Sequence, residues 1–256
     1  MTSVRKGVTR VADVTVDIQQ SLSRGKIQSA TLAECLAINQ AQLVRAVFPE
    51  LPTDAMKEID AACESGILKR MDTIGAVLLD ALGSEGIEKC RVHRADSVRG
   101  WACFMIRNQP GLHLSERLTA IRSLADDGHF AVREWAWMAI RPHIADQLDV
   151  SIGYLVQWTV SPSEYLRRFA CEVLRPRGVW CTHISALKHE PELAISILMP
   201  LRADPSVYVQ DSVSNWLNDA AKDQPNWVRN VCSQWLHTTP TDATRRICQR
   251  ALRNLK

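Results

Sequence analysis

The sequence of 256 residues lacks the long apolar segment that a membrane-spanning helix requires. No uninterrupted apolar run approaches the roughly 20 residues needed to cross a bilayer. The N-terminal stretch MTSVRKGVTRVADVTVDIQQ also lacks the apolar core of a secretory signal peptide. These absences predict a protein of the cytosol with no membrane partner.

Cysteine pairs with the spacing of a metal site or a redox motif are also missing. The eight cysteines include no Cys-x-x-Cys pair, and Cys90-x-x-His93 has no second pair that would complete a zinc site. Several cysteines lie beside apolar residues, where cysteine behaves as a small hydrophobic side chain. The sequence therefore predicts neither a disulfide framework nor a structural metal, and no cofactor.

A strong excess of one charge is absent from the chain as a whole, whose formal net charge is +3, but the charges are unevenly distributed. Residues 1–90 hold 10 Lys and Arg against 12 Asp and Glu, whereas residues 91–256 hold 21 against 16. Of those 21 basic residues 18 are arginine, whose planar guanidinium can pair with phosphate through two nitrogens. The imbalance is consistent with nucleic-acid binding, although a solvated helical face would carry the same residues.

What the chain does contain is an internal repeat. Five stretches, starting at residues 93, 127, 161, 204 and 239, have a polar residue that could cap a helix and a basic or polar residue six positions later. The spacings between these later residues are 34, 34, 43 and 35. Such periods are typical of stacked helix pairs of the HEAT or armadillo kind, here with an insertion before the fourth unit. We call these later residues the anchors: Arg99, Arg133, Arg167, Gln210 and Arg245.

The apolar pattern around the anchors has the period of an α-helix. Positions −1, +2, +3, +6 and +7 from each anchor are almost all apolar, which forms one helix face packed against neighbours. Trp101, Trp135 and Trp216 lie on this face, so we expect them in the core. Residues 1–90 also have helical patterns, without a clear repeat. The sequence predicts one all-α domain over 1–256, with N-terminal helices in 1–90 and a HEAT-like solenoid of five repeats with a concave groove in 91–256.

Three of the repeats carry a strong signal for the start of a helix. The signal is a capping side chain followed by proline, whose missing N–H is tolerated at the first helical position. The chain has it at Ser161-Pro162, Asp204-Pro205 and Thr239-Pro240. We therefore expect a helix to begin at each of these prolines.

One face of the repeated helices is not apolar. Positions +1, +5 and +9 from the anchor lie on successive turns of a single face. In the last three repeats this face is polar, and it includes Arg168, Glu172 and Asp219. Equivalent faces of stacked repeats join into one continuous surface. Ordinary solvated ion pairs, such as Arg168 with Glu172 four residues later, would explain this face without any function.

The segment that follows Glu172 favours a functional explanation. Arg175-Pro176-Arg177-Gly178 ends the helix and presents two guanidinium groups, and Trp180 lies just beyond this turn, off the apolar face. An aromatic ring beside arginines and a carboxylate suits a nucleotide better than bulk water. We therefore expect six arginines to contact DNA phosphates: Arg141, Arg168, Arg175, Arg177, Arg246 and Arg250.

These same stretches resemble signatures of the DNA alkylation repair glycosylases, in their AlkC-like branch. The stretch from Glu172 to Trp180, EVLRPRGVW, resembles the end of that branch's pattern VRRLASEGxRPRLPW. The stretch from Tyr208 to Pro225 resembles YVRRSVANxLNDIAKDHP, and residues 137–142 resemble EFAIRP. The resemblance is strong over residues 130–225 and weak before them.

The resemblance implies a monofunctional DNA glycosylase that hydrolyses the N-glycosidic bond of alkylated, cationic bases such as 3-methyladenine or 3-methylcytosine in duplex DNA. A positively charged base leaves readily, so the enzyme has mainly to stabilise an oxocarbenium-like sugar and to direct water to C1′. By position, Asp219 and Glu172 are the implied catalytic residues, and Trp180 is implied to bind the substrate. The resemblance also implies a monomer in the bacterial cytoplasm, associated with the nucleoid, whose partner is duplex DNA and which has no obligate protein partner.

The sequence departs from the family's pattern at two places. Trp137 stands where the family has a glutamate, and Glu134, less than one helical turn away, is the candidate to replace that carboxylate. We assign both residues to substrate binding. Gln210 and Asp211 stand where the family has two arginines. Two other functions therefore stay open: a non-catalytic protein that binds damaged or distorted DNA, and a HEAT scaffold that binds protein.

Overall fold

Residues 5–255, which the computed structural model describes, are helical and contain no β-strand. The prediction of an all-α fold is therefore confirmed. None of the helices in this part of the chain combines the length and the apolar character needed to span a membrane. By their contacts the described residues form two compact units, and helix α8 (Phe130–Asp146) contributes residues to both.

The first unit comprises the described residues up to Leu112, together with Asp127–Ala139. Its longest helix, α5, bends at Gly83, which has a positive φ of 59° that a residue without Cβ adopts freely. Besides the start of α8, the α-helices of this unit are α1 (Val16–Ser23), α2 (Leu32–Ala37), α3 (Gln40–Val47), α4 (Thr53–Ala62), α5 (Ile67–Arg91) and α6 (Asp96–Asn108).

The second unit comprises His113–Asp126 and the described residues from Ile140 onward. Within it the helices α10, α13 and α15, which carry the last three anchors, pack one against the next. Besides the end of α8, its α-helices are α7 (Leu114–Ala125), α9 (Leu148–Leu155), α10 (Glu164–Glu172), α11 (Ser185–His189), α12 (Ile195–Leu201), α13 (Val207–Ala220), α14 (Pro225–Thr238) and α15 (Asp242–Ala251).

Two of the anchors, Arg167 and Arg99, join one repeat to the next. Arg167 Nε and Nη2 donate to the two carboxylate oxygens of Asp204 at 2.7 and 3.0 Å, and Asp204 lies at the start of the following repeat. Nη1 of Arg167 donates to the carbonyl oxygens of Ser161 and Pro162 in the turn before its own helix. Arg99 of the first unit makes the same set of bonds with Asp127. Arg99 and Arg167 are therefore structural residues.

We expect Arg167→Met to lower the free energy of unfolding by about 2–3 kcal/mol, since it removes charge-assisted hydrogen bonds to Asp204, which is buried. Arg245→Met is the matched control. Arg245 occupies the same anchor position, but it pairs only with Asp242 on its own helix, and both side chains are exposed. Urea unfolding of both variants measures the difference, and equal losses would contradict the structural role of the anchors.

Three helices begin two residues later than predicted. The observed N-cap residues are Ser163, Ser206 and Thr241, where the sequence predicted caps at residues 161, 204 and 239. In the first two cases the predicted cap accepts a backbone N–H two residues on: Ser161 Oγ from Ser163 and Asp204 Oδ1 from Ser206. Each of these side chains therefore closes a turn ahead of the helix instead of capping it.

The apolar face of the repeated helices forms the core, as predicted. Trp101 and Trp216 are fully buried, and Trp135 is 5% exposed. The insertion predicted before the fourth repeat comprises the loop 173–184 after α10, the short helix α11 and a 3-10 helix over Pro191–Ala194. This loop carries the Arg-Pro-Arg-Gly segment and Trp180.

Candidate functional site

The second unit holds a buried cluster of two carboxylates around one guanidinium. Glu172 is the last residue of α10 and Asp219 lies near the end of α13; they are 4% and 5% exposed. Arg175, in the loop after α10, donates through Nε and Nη2 to Oδ2 of Asp219 at 2.9 and 2.7 Å, and through Nη1 to Oε1 of Glu172 at 2.8 Å. The two predicted catalytic residues are thus brought to one place.

The remaining carboxylate oxygens of the cluster are also paired. Oε2 of Glu172 accepts a hydrogen bond from Ser212 Oγ at 2.6 Å and lies 3.6 Å from Nη2 of Arg168. Oδ1 of Asp219 accepts from Nζ of Lys222 at 3.2 Å, and the Lys222 side chain is 47% exposed. The least constrained oxygen of the cluster is therefore Oδ1 of Asp219, whose partner reaches it from the solvent.

The charges of the cluster keep Glu172 ionised at neutral pH. Burial by itself would raise the pKa of Glu172, but the nearby Arg168 and Arg175 outweigh it, and the net shift of this pKa is downward. The same carboxylates hold the pKa of Arg175 above the usual range of arginine, against the opposing effect of burial. The space between the two carboxylates is therefore a site for a cation, and a guanidinium occupies it.

Arg175 and Arg141 differ from the prediction that they contact DNA phosphates. Arg175 has its nitrogens directed at the two carboxylates. Arg141 is 2% exposed, and its guanidinium donates to the carbonyl oxygens of Val173, Arg175 and Thr182 at 2.6, 2.6 and 3.2 Å. With these bonds Arg141 supports the loop that follows α10. Arg141 is therefore a structural residue, and its burial does not fit the predicted contact with a phosphate.

Gly178 is needed where this loop approaches Arg141. A Cβ atom at residue 178 would lie 2.2 Å from Sγ of Cys181 and 3.2 Å from Nε of Arg141. Neither distance is compatible with a side chain unless the loop shifts. The glycine therefore allows the loop to close over the Arg141 guanidinium.

Trp180 has a strained backbone and an open ring. Its φ is 64°, and among the described residues it is the only non-glycine residue with positive φ. For a residue with Cβ, this left-handed conformation costs roughly 1–2 kcal/mol. The side chain is 49% exposed even though it is a large aromatic group. A strained, exposed tryptophan in a loop that Arg141 supports has the character of a binding residue.

Four other predicted DNA-binding arginines are partly exposed, and each lies beside an acidic residue. Arg177 donates to both carboxylate oxygens of Asp223 at 2.9 Å. Arg246 and Arg250 lie 2.7 and 3.2 Å from the same oxygen of Asp211. The guanidinium of Arg168, besides its contact with Glu172, lies over a tyrosine ring at 4.5 Å from its centre. The exposed edges of Arg177, Arg246 and Arg250 leave these three able to meet a phosphate, whereas the Arg168 side chain is only 12% exposed.

Trp137 and Glu134, predicted to bind the substrate, lie in the first unit and contact each other. Trp137 is 2% exposed, and its Nε1 donates to Oε2 of Glu134 at 2.8 Å. A buried indole has no open face for a base to stack on, so Trp137 does not fit the predicted direct contact. Its hydrogen bond fixes the half-buried Glu134 carboxylate.

Sequence reasoning missed three polar partners in the second unit. Ser212 and Lys222 complete the cluster, and Asp223 holds Arg177. All three lie within the stretch from Tyr208 to Pro225 that carries the family resemblance. The spacing of Asp219 and Lys222, three residues apart on one helical turn, was the signal that could have found one of them.

Comparison with protein families gives a match over just under half of the chain. Residues 131–255 match the family described as DNA alkylation repair enzyme. The uncharacterized protein YhaZ of Bacillus subtilis (strain 168) is 32% identical over 183 residues, which are 69% of this chain and 50% of YhaZ. The chain thus spans half the length of this curated relative.

Three solved structures have a similar fold. The alkylpurine DNA glycosylase AlkC of Pseudomonas fluorescens, bound to DNA containing an abasic site analog, has a TM-score of 0.69 and 22% identity, over 97% of this chain and 65% of AlkC. For smu.31 of Streptococcus mutans UA159 the TM-score is 0.60, with 22% identity, over 79% of this chain and 97% of that protein. For AlkD2 of Streptococcus mutans the TM-score is 0.55, with 20% identity, over 84% of this chain and 97% of AlkD2.

These similarities confirm the resemblance found in the sequence. The fold is that of the HEAT-like AlkC and AlkD proteins. The stretch that matches the family contains the carboxylate cluster, the loop with Trp180 and the four partly exposed arginines. Residues 131–255 of this chain match the family described as DNA alkylation repair enzyme, the family whose signatures the sequence resembles.

Proposed function

We propose that this protein is a monofunctional DNA glycosylase that removes alkylated, positively charged bases from duplex DNA. The observation that carries the proposal is the cluster of Glu172, Arg175 and Asp219, in which two carboxylates from successive repeats surround a site for a cation. The match of residues 131–255 to a repair family supports it. Measuring alkylated bases set free from methylated duplex DNA tests it.

The chemistry needs negative charge where positive charge develops. A base alkylated at N3 carries a positive charge and leaves with the electron pair of its glycosidic bond, so that the charge passes to the sugar as an oxocarbenium ion. Two ionised carboxylates stabilise such a cation strongly because burial keeps water from screening them. A water molecule then forms the new bond to C1′ and gives up a proton, which leaves an abasic site and the free base.

The partners of the two carboxylates suggest how they share this work. Both oxygens of Glu172 are held, by Arg175 and by Ser212, so Glu172 acts through its fixed charge. Oδ1 of Asp219 has only the half-exposed Lys222 as its partner. Displacement of that ammonium group frees Oδ1 to hold and orient the attacking water. Asp219 is therefore the residue on which hydrolysis depends most.

Trp180 is proposed to stack on the damaged nucleotide, and Trp180→Gly tests this without destabilising the fold. The substitution removes the ring but also relieves the positive φ, and the greater freedom of glycine in the unfolded chain partly offsets that gain. We expect a free energy of unfolding within about 1 kcal/mol of the wild type, and roughly tenfold weaker binding to methylated duplex DNA, since stacking on one base contributes about 1–3 kcal/mol. Unchanged binding would contradict the assignment.

The four partly exposed arginines, Arg168, Arg177, Arg246 and Arg250, are proposed to contact the DNA backbone. Arginine contacts to phosphate release counterions, so binding to lesion-free duplex should weaken steeply as salt rises. Mobility shifts at two salt concentrations measure this. Absence of binding at low salt would favour the rival in which the HEAT-like surface binds a protein.

A non-catalytic DNA-binding protein is the second candidate, and two observations favour it. Trp137 stands at the position of a family glutamate and is buried, and the guanidinium of Arg175 already occupies the cation site. Such a protein would bind alkylated DNA and leave its bases in place. Measurement of base release separates the two candidates.

A further inference from the structure

The first unit, which contributes no residue to the carboxylate cluster, has a basic pocket of its own. The pocket has a volume of about 710 Å³, which is within the range of small-molecule sites. Its lining includes four basic side chains and no acidic one, and also the rings of His129 and Phe130. The four basic residues, which we call the pocket cations, are Arg5, Lys26, Arg94 and Arg133.

The acidic residues near this pocket pair with neighbouring groups and do not line it. The Asp96 carboxylate accepts hydrogen bonds from the backbone N–H and the Oγ of Ser29, at 2.9 and 2.7 Å. The carboxylate of Asp127 is held by Arg99. Glu34 pairs with Arg5, and this ion pair neutralises one of the pocket cations. None of these carboxylates lines the pocket, so the charged side chains that line it are all basic.

Two of the pocket cations are available to a ligand. Lys26 and Arg94 are exposed, and within residues 5–255 neither side chain has an ion-pair or hydrogen-bond partner. They come from different parts of the chain: Lys26 follows α1, and Arg94 lies in the turn before α6. Two such cations converging on one pocket form a suitable site for a phosphate group.

The wall of the pocket is held in place by buried hydrogen bonds. Nδ1 of His129 accepts the backbone N–H of Ala131 at 3.2 Å, so Nε2 carries the proton and donates to the carbonyl oxygen of Ser29 at 2.7 Å. The imidazole stacks on the ring of Phe130, with 4.8 Å between ring centres and 29° between planes. The lining of the pocket therefore combines an ordered aromatic pair with cations, which is the combination that binds a nucleotide.

We propose that this pocket binds the phosphate group of a nucleotide, with Lys26 and Arg94 as the phosphate ligands and the His129–Phe130 pair beside the base. The nucleotide is either a unit of a DNA strand or a free mononucleotide. This site goes beyond the proposed glycosylase activity and does not depend on it, because none of its residues takes part in the carboxylate cluster.

The test compares the double variant Lys26→Ala/Arg94→Ala with the control Arg10→Ala/Lys57→Ala. The control removes two exposed basic residues of the same unit, whose partners are surface carboxylates outside the pocket. Binding of a lesion-free duplex is measured by fluorescence anisotropy over a series of salt concentrations. Binding of dAMP to the same proteins is measured by calorimetry.

Two results would support the proposal. If the source is a DNA strand, the pocket variant lowers the slope of log K against log salt by about two, one for each lost phosphate contact, and the control does not. If the source is a free nucleotide, wild type and control bind dAMP and the pocket variant binds it at least tenfold more weakly. A pocket variant that matches the control with both ligands, or a wild-type protein that binds neither, overturns the proposal. Neither measurement involves base release, so failure here is separate from failure of the glycosylase proposal.

Discussion

Asp219→Asn is expected to reduce the release of alkylated bases from methylated duplex DNA by about 10²–10³-fold, the range seen when one charge-stabilising group is removed from an active site. The amide has nearly the shape of the carboxylate but no negative charge, so it neither stabilises the oxocarbenium ion nor accepts a proton from water. DNA binding should change little, because the proposed backbone contacts are made by arginines elsewhere on the repeats. The rate of release under single-turnover conditions measures the effect.

Asp211→Asn is the matched control for this experiment. Asp211 lies on the same helix, α13, and also pairs with arginines, but its side chain is 39% exposed and it contacts neither Glu172 nor Asp219. The Asp211→Asn variant should release bases at a rate within about threefold of the wild type, since surface changes perturb a protein by less than about 0.5 kcal/mol. Release by Asp219→Asn at the wild-type rate would mean that the catalytic site lies elsewhere.

Arg175→Met is expected to lower the free energy of unfolding by about 3–5 kcal/mol, because it leaves the buried carboxylates of Glu172 and Asp219 without their shared counterion. The methionine side chain keeps much of the apolar stem, so the loss measures the charge and the hydrogen bonds more than the packing. Urea unfolding followed by circular dichroism gives the value. The effect should shrink below the pH at which Glu172 takes up a proton, since a neutral carboxyl needs no counterion.

Two further variants separate the effect of this cluster from that of losing any arginine. Arg45→Met removes an arginine that pairs with Asp60 at the surface, and it should leave the unfolding midpoint almost unchanged. Arg175→Lys keeps the positive charge, but lysine has no planar fork that reaches both carboxylates. Its loss of unfolding free energy should therefore lie between those of Arg45→Met and Arg175→Met. A loss for Arg175→Met no larger than that for Arg45→Met would mean that Arg175 is not the counterion of the cluster.

The repeat architecture could be predicted from the sequence because it depends on local spacing. The helical period of the apolar positions is a property of consecutive residues, and it placed Trp101, Trp135 and Trp216 in the core, where they lie. The anchors were found by the same spacing, but their partners were not. Asp204 lies 37 residues after Arg167, and only the stacking of the repeats brings the two together.

The starts of the helices were predicted two residues too early for a related reason. A serine or aspartate before proline resembles an N-cap, but the same side chain can accept the backbone N–H two residues on and form a turn. At Asp204 the competing turn is stabilised by Arg167, which holds the carboxylate from the preceding repeat. The choice between cap and turn is made by that distant partner.

The site itself was predicted only in part. The polar face and the family resemblance gave Glu172 and Asp219, and the structure brings them together. The roles of the arginines were missed because a sequence does not show whether a guanidinium faces solvent or a buried carboxylate. Arg175 meets Asp219 across 44 residues, and Arg141 is covered by the loop that forms the insertion. Trp137 likewise proved to be buried.

The release of free base by the wild-type protein tests the proposed activity most directly. Methylated duplex DNA is incubated with the protein, and free 3-methyladenine and 3-methylcytosine are quantified by mass spectrometry, together with abasic sites in the DNA. We expect at least one of the two bases to appear in the same amount as new abasic sites, with no strand cleavage. Tight binding to the methylated DNA without any released base would contradict the glycosylase and leave the non-catalytic DNA-binding protein in its place.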